Sequence, residues 1–345
     1  MKARRLSMLL AFVVFTVAGG MAAALAGTTV AATAGQAAIH HGETISFSTH
    51  ASKCGLCHQK QYNEWRYAAG SDLKTVGQGT YHAISSTEPM YKTMLGTVDA
   101  TMQNYCRGCH ESGNAWGVVD KINNIPTPRT VNVEEGINCL VCHFDGRKIV
   151  SVQDMKDPLF CATCHNENTG LVEVYAEWIT DYRNDKTCQQ CHMKDGSHLF
   201  LGYNSPSFVK KAVVVSEPSL PAAIYAGQPF GINFTLSNTG AGHSVPEDLF
   251  RLLRARVSIE NSSSQQIYAN ETVFYKHNTL FGENPSDTVV IKAGEIKPIE
   301  INDVIITSPG IYTVRVELLQ DSNRVNASLN TTAFMGSTYK TILVQ

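Results

Sequence analysis

The chain has 345 residues, a net charge of −2 and only 17% charged side chains. That near-neutral balance excludes a basic nucleic-acid surface or an acidic tail as its organising feature. The length suits two domains, and all ten cysteines lie between Cys54 and Cys191 in the first half.

The N-terminus reads as a targeting segment. Basic residues in Met1–Arg5 precede an apolar run, Leu9–Val17, and small-residue cleavage patterns follow at Ala24-Leu25-Ala26 and Ala32-Thr33-Ala34. The expectation is a signal peptide over 1–26, with cleavage as late as 34 as the variant, and a leader over 27–49. A retained membrane anchor is the competing reading, because about 20 apolar residues span a bilayer, and membrane contact is expected only through such an uncleaved leader. Either way the remainder lies outside the cytoplasm, at the cell surface, extracellular or in an equivalent periplasm. Sequons at Asn233, Asn261, Asn270, Asn326 and Asn330 fit a glycosylated exported surface.

The cysteines form five C-x-x-C-H motifs with none left over: Cys54/Cys57/His58, Cys106/Cys109/His110, Cys139/Cys142/His143, Cys161/Cys164/His165 and Cys188/Cys191/His192. Two thiols three positions apart can add across the two vinyl groups of one haem, and the next residue then supplies the proximal ligand. Zinc sites tolerate C-x-x-C but do not require the trailing histidine. A thioredoxin-like motif would occur once, and disulfides would not enforce the histidine. Five covalent c-type haems are therefore expected. So many cofactors in residues 50–208 leave little room for an ordinary core. The expected domain is mostly helical and irregular, wrapped around the haems.

Of twelve histidines, His40, His41, His50, His82, His198, His243 and His277 are not proximal. An iron with two histidines suits electron transfer, whereas an open position suits binding or catalysis. His82, in GTYHAISS, His198, six residues after His192, and His243, in NTGAGHSVPEDLFR, are the foremost candidates for distal ligands. Two more are expected from His40, His41 and His50. His277 alternates with apolar residues on a strand pattern and is the weaker candidate. Met193 directly follows a proximal histidine and points the wrong way, while Met90, Met94 and Met102 read as core filler.

From residue 209 onward the pattern changes to period-two alternation between turn signals. Candidate strands are AVVVSE, FGINFTLSN, LRARVSIEN, QIYANETVFYK, DTVVIKA, KPIEINDVIIT, GIYTVRVELL and YKTILVQ. Their lengths and spacing argue for an immunoglobulin-like antiparallel β-sandwich over 209–345. The overall class is thus α + β, two domains. The His243 loop is expected to reach from the sandwich and close one iron, with Gly242 permitting the turn and Pro246 stiffening it.

The stretches CGLCHQKQYNEWRYAAGSDLKTVGQGTYHA, GINCLVCHFDG, CQQCHM with HLFLG, and GHSVP resemble the multihaem c-type cytochrome family that includes the tetrahaem electron acceptor of hydroxylamine oxidoreductase. The resemblance covers about residues 50–205 and the loop at 242–246, and it implies distal roles for His82, His198 and His243. Two departures stand out: a longer spacing from Trp65 to His82, and five motifs in place of four. The layout also resembles subunits of extracellular cytochrome filaments, in which an N-terminal histidine ligates a neighbour's haem, a role His40 or His41 would suit.

The expected function is an exported electron-transfer conduit serving redox partner proteins, and a possible filament subunit that self-assembles. No catalytic residues and no nucleic-acid partner are expected. The alternative is an oxidoreductase with one open iron acting on a small nitrogen or sulfur compound, and a haem-bearing adhesion module stands third.

Overall fold

A computed structural model describes residues 37–68, 80–166, 173–182, 186–203, 205–278, 282–324, 330 and 332–345. The targeting segment and the Asn326 sequon lie outside the described residues.

Strands β1 (Ala37–His40) and β2 (Glu43–Ser46) form an antiparallel hairpin in which His40 pairs with Glu43. Its two turn residues, His41 (φ 48°) and Gly42 (φ 82°), both take positive φ, the turn that matches strand twist. The leader expected before the first motif is therefore partly a hairpin. It folds because Ile45 and Phe47 are buried against Leu140 and Phe144, long-range partners that local pattern does not reveal. The Phe47 and Phe144 rings lie 4.8 Å apart.

Ten short helices follow: α1 (Ala51–Gly55), α2 (Gln59–Tyr67), α3 (Tyr81–Ile84), α4 (Pro89–Leu95), α5 (Ala100–His110), α6 (Cys139–His143), α7 (Leu159–His165), α8 (Val174–Asp181), α9 (Cys188–His192) and α10 (Pro206–Val209). Side-chain caps fix the start of several: Thr80 for α3, Asp99 for α5, Asn138 for α6 and a Thr187/Gln190 capping box for α9. Buried apolar clusters here are small, one around Phe144 and another of Ala51, Trp65 and Ala83. The helices pack on little of their own, as expected where cofactors supply the core.

Seven strands complete the chain: β3 (Val213–Val215), β4 (Pro229–Asn238), β5 (Leu252–Asn261), β6 (Gln266–Phe274), β7 (Ile296–Ile305), β8 (Gly310–Asp321) and β9 (Thr332–Val344). One sheet runs β3-β4-β7 and the other β6-β5-β8-β9, all antiparallel. Alternate residues of both sheets, among them Ile232, Phe234, Leu253, Val257, Val314 and Val316, meet in one core. The expected strand over 287–293 is not one. Its residues make isolated bridges, Val245 to Ile291 and Tyr275 to Val289. Val245 and Ile291 exchange both backbone hydrogen bonds at 3.0 Å, and Asn238 Nδ2 also donates to the Ile291 carbonyl. That segment spends its backbone on the His243 loop instead of on a sheet.

Candidate haem sites

Each motif lies on or against one helical turn, α1, α5, α6, α7 or α9. Positions i, i+3 and i+4 share a helix face, so the two thiols and the histidine of a motif address the same space. The thiols of Cys54 and Cys139 are hydrogen-bonded, as are those of Cys161 and Cys188. The attachment points of the first and third motifs therefore touch, as do those of the fourth and fifth. Burial first, and the Cys164 thiol second, pushes Cys142 up to about 12, so the third and fourth motifs are neighbours too. Trp116 bridges these two: its Nε1 donates to the Cys142 carbonyl at 2.8 Å, and its ring packs 4.8 Å from Phe160.

The sequence assigns every cysteine to a thioether, and in this structure all ten are free thiols. That difference holds for Cys109, beside Cys106 on α5, for Cys164, beside Cys161 on α7, and for Cys191 on α9, all of them half-buried. Its physical reason is that the fold places the sulfurs while the carbon–sulfur bond needs the vinyl groups of a haem. Placement agrees with the expectation even so: Cys109 precedes His110 and Cys164 precedes His165 on the same helical turn.

Four proximal histidines face a second imidazole. His58 and His40 have centroids 6.3 Å apart with planes at 24°. His143 faces His198 at 6.0 Å and 17°, and His192 faces His243 at 6.3 Å and 18°. His165 faces His82 at 6.2 Å with planes crossed at 76°. Two metal–nitrogen bonds of about 2 Å and the half-widths of two imidazoles fill such a separation. Rings that merely packed together would lie closer. Every pair joins elements distant in the chain, so each imidazole is delivered by the fold.

Hydrogen bonds leave the right nitrogen free. A carbonyl only accepts, so the Nδ1 of His198 donates to Gly196 O at 3.0 Å, that of His243 to Ser244 O at 2.9 Å, and that of His110 to Ser85 O at 3.0 Å. The His192 Nδ1 donates to Leu201 O. In each, Nε2 is left as the metal-facing atom. His82 differs, because its Nδ1 is buried with no hydrogen-bond partner. A buried orphan nitrogen is costly, and a metal on that ring removes the cost. The set fits haem.

Burial also keeps these rings neutral, the ligand form. Desolvation, then repulsion from His165, His192 and His110, pushes His82 down to about 3. Burial first, and His198 and His58 next, takes His143 to about 4. Burial and His243 take His192 to about 4.

The remaining histidines go elsewhere. Ligand atoms of His40, His41 and His58 all lie within 4.8 Å of one another, yet the His40 ring is the one aligned with His58, while His41 is exposed at the hairpin turn. His50, expected among the coordinating pair from the leader, instead precedes α1 and hydrogen-bonds Glu135 Oε1 through Nδ1 at 3.2 Å. It meets no proximal histidine, because the Glu135 carboxylate also accepts from Ala51 N and Asn138 Nδ2 and pins this corner. His277 stacks on Tyr275 at 4.4 Å. Consequently, among the described residues, no histidine ring pairs with His110. Its ring neighbours are Tyr91, stacked at 4.3 Å and 5°, and Tyr81 at 6.5 Å and 73°. Tyr91 OH donates to the Glu111 carboxylate at 3.0 Å, which also pairs with Arg107 at 2.7 Å.

Several residues that hold the site carry no sequence signal. Phe200 lies against both His82 (4.3 Å) and His198 (5.9 Å). Glu64 accepts from the His198 backbone at 2.8 Å and Glu177 from the Ser244 backbone at 2.8 Å. Carboxylates whose partners are backbone amides far along the chain follow no spacing rule. The CxxCH motifs, whose chemistry is local, were legible.

The motifs and the paired imidazoles define a multihaem c-type cytochrome, an electron-transfer protein. Family models agree: residues 53–144 match cytochrome c554 and c-prime, and residues 126–193 match cytochrome c7 and related cytochrome c. Among solved structures, the chain is similar to a penta-heme cytochrome c552 from Thermochromatium tepidum, with TM-score 0.61 and 14% identity over 86% of this chain and 99% of that one. That likeness extends the shared fold through both halves. Weaker overlaps of 39% of this chain occur with a CARDB domain from Pyrococcus furiosus (87% of that chain, 15% identity, TM-score 0.23) and a Bacteroides uniformis β-glucuronidase (13% of that chain, 12% identity, TM-score 0.24). No curated protein matches. Among the described residues, no helix is long and apolar enough to cross a membrane.

Proposed function

We propose that this chain is an exported pentahaem electron-transfer conduit. Five haems, when bound, supply one-electron carriers that need little rearrangement where two imidazoles hold the iron. The observation that carries the reading is the set of four imidazole pairs, each closed by a residue from another part of the chain. His40, His82, His198 and His243 are assigned as distal ligands to the irons held by His58, His165, His143 and His192. Contact between Cys54 and Cys139, and between Cys161 and Cys188, supports close spacing of the cofactors those thiols hold.

The β-rich half, whose three-on-four strand arrangement supports an immunoglobulin-like reading, supplies His243. His243→Ala is expected to leave five haems attached while one iron becomes high-spin and CO-reactive. An unchanged spin-state spectrum in that variant would refute the ligand assignment. Exposed asparagine at Asn233 and Asn270 supports glycosylation of this half. Asn330 is engaged by Asn323 N and Ser322 Oγ and is the poorer acceptor.

Redox partner proteins are expected to dock near the first motif. Its Cys57 and His58 are exposed, beside the exposed apolar side chains of Leu56 and Ile39. His40 serves the chain's own His58, so filament assembly falls to the exposed His41 as donor to a neighbour. Electron microscopy of wild type and His41→Ala tests it: filaments lost in the variant support assembly, and filaments unchanged by it remove His41 from that role.

One observation favours the alternative: His110 has no histidine opposite. An oxidoreductase acting on a small nitrogen or sulfur compound would use that position. Turnover of such a compound, abolished by added CO, would favour it over the conduit.

A further inference from the structure

Two of the distal histidines, His198 and His243, ride on loops, and each loop is tied to the haem-bearing half by one carboxylate. Glu64, on α2, accepts the backbone N–H of His198 itself at 2.8 Å through Oε2. Glu177, on α8, accepts the N–H of Ser244, the residue after His243, at 2.8 Å. Its other oxygen meets Lys276 Nζ at 2.5 Å, with Lys276 only 9% exposed. That pair joins a helix of the haem-bearing half to the residues just after β6. Glu64 has a cation of its own only in Lys60, at 3.8 Å and 69% exposed, a weak surface pair.

These bonds act on the ring as well as the loop. A hydrogen bond to a carboxylate is charge-assisted and roughly twice as strong as a neutral one. In both loops the imidazole Nδ1 donates to a carbonyl of the same loop, Gly196 O for His198 and Ser244 O for His243. Fixing the backbone amide therefore fixes the carbonyl that sets the ring plane. Both rings end within 18° of their proximal partners. His82 is the contrast. It sits inside α3, its carbonyl accepts from Ile137 N and Ser85 Oγ, no carboxylate holds its amide, and its ring is crossed at 76°.

We propose that Glu64 and Glu177 are positioning residues for axial ligation: Glu64 aligns His198 on the iron of His143, and Glu177 aligns His243 on the iron of His192. Glu177 thereby makes docking of the β-rich half a condition for closing the fifth motif's iron. This rests on the distal assignments of His198 and His243.

The test uses the full-length holoprotein with Glu64→Ala, Glu177→Ala, and the Gln and Asp versions of each. Each alanine variant is expected to retain five haems, to gain one high-spin, CO-binding iron per chain, and to return to low spin when free imidazole is added. Glutamine keeps an acceptor oxygen and is expected to preserve the low-spin spectrum. Aspartate keeps the charge but withdraws the oxygens by one methylene, and is expected to give a mixture of spin states at that one iron, which keeps the test open if an alanine variant is not recovered. Thermal stability falling in the Ala or Asp variants with all spin states unchanged would overturn the proposal and leave the carboxylates as simple loop anchors. His198→Ala and His243→Ala serve as references. If they change spin state and the carboxylate variants do not, positioning fails while ligation stands. If the histidine variants are silent too, ligation itself fails.

Discussion

Gly136→Ala is expected to destabilise the haem-bearing half by about 3 kcal/mol or more and to disturb the iron of His165 selectively. Gly136 has φ 55° and ψ −130°, a region essentially closed to other residues, where strain alone costs roughly 1–3 kcal/mol. Space is closed as well. A Cβ there would stand 2.4 Å from the His82 carbonyl and 2.6 Å from Ser85 Oγ. Neither can step aside. The His82 carbonyl already accepts from Ile137 N at 2.7 Å, and Ser85 Oγ donates to the His110 carbonyl at 2.8 Å. The buried Arg129 guanidinium donates to the Gly136 carbonyl from the other side. Any shift therefore moves α3 and His82 with it. Denaturant unfolding of the holoprotein gives the stability change. Low-temperature EPR should show loss of the low-spin signal belonging to the crossed imidazole pair, with the three near-parallel pairs retained.

Phe144→Ala is expected to cost about 3–5 kcal/mol, the usual range for removing a fully buried phenylalanine, and to act on a haem that Phe144 does not adjoin in sequence. Phe144 is 0% exposed and follows His143 directly. Its ring packs on Phe47, and with Ile45 and Leu140 forms the small cluster that seats the β1–β2 hairpin. That hairpin carries His40 to His58. With so few other apolar contacts, the hairpin is expected to detach before the helices unfold. CO binding should then rise by one iron per chain at denaturant concentrations that leave the other pairs intact. Unfolding in a single step, with no prior rise in CO binding, would show the hairpin to be held by something other than this cluster.

The sequence was most informative where chemistry is local. C-x-x-C-H spacing is a property of one helical turn, so the five attachment sites could be read without a fold. Alternating patterns marked seven strands, because each strand buries one face in a shared core. The stretch at 287–293 misled because its alternation serves bridges to Val245 and Tyr275. Distal ligation was only partly legible. His82, His198 and His243 could be named, but the pairing of each with His165, His143 and His192 depends on tertiary placement. The leader was read for two ligands and delivers one aligned ring. His50 is drawn off by Glu135, a contact spanning 85 residues, and a count of spare histidines cannot foresee it.

The most direct test of the account is the number of CO-binding irons on the reduced, full-length protein, set against its low-spin and high-spin EPR signals when oxidised. The arrangement of histidines predicts four low-spin irons and one high-spin iron per chain, with CO taken up by one haem in five, that of His110. Five low-spin irons with no CO adduct would contradict it and would mean that His110 gains a partner from outside the described fold. Two or more CO-binding irons would contradict it differently, by removing at least one of the four imidazole pairs on which the conduit reading stands.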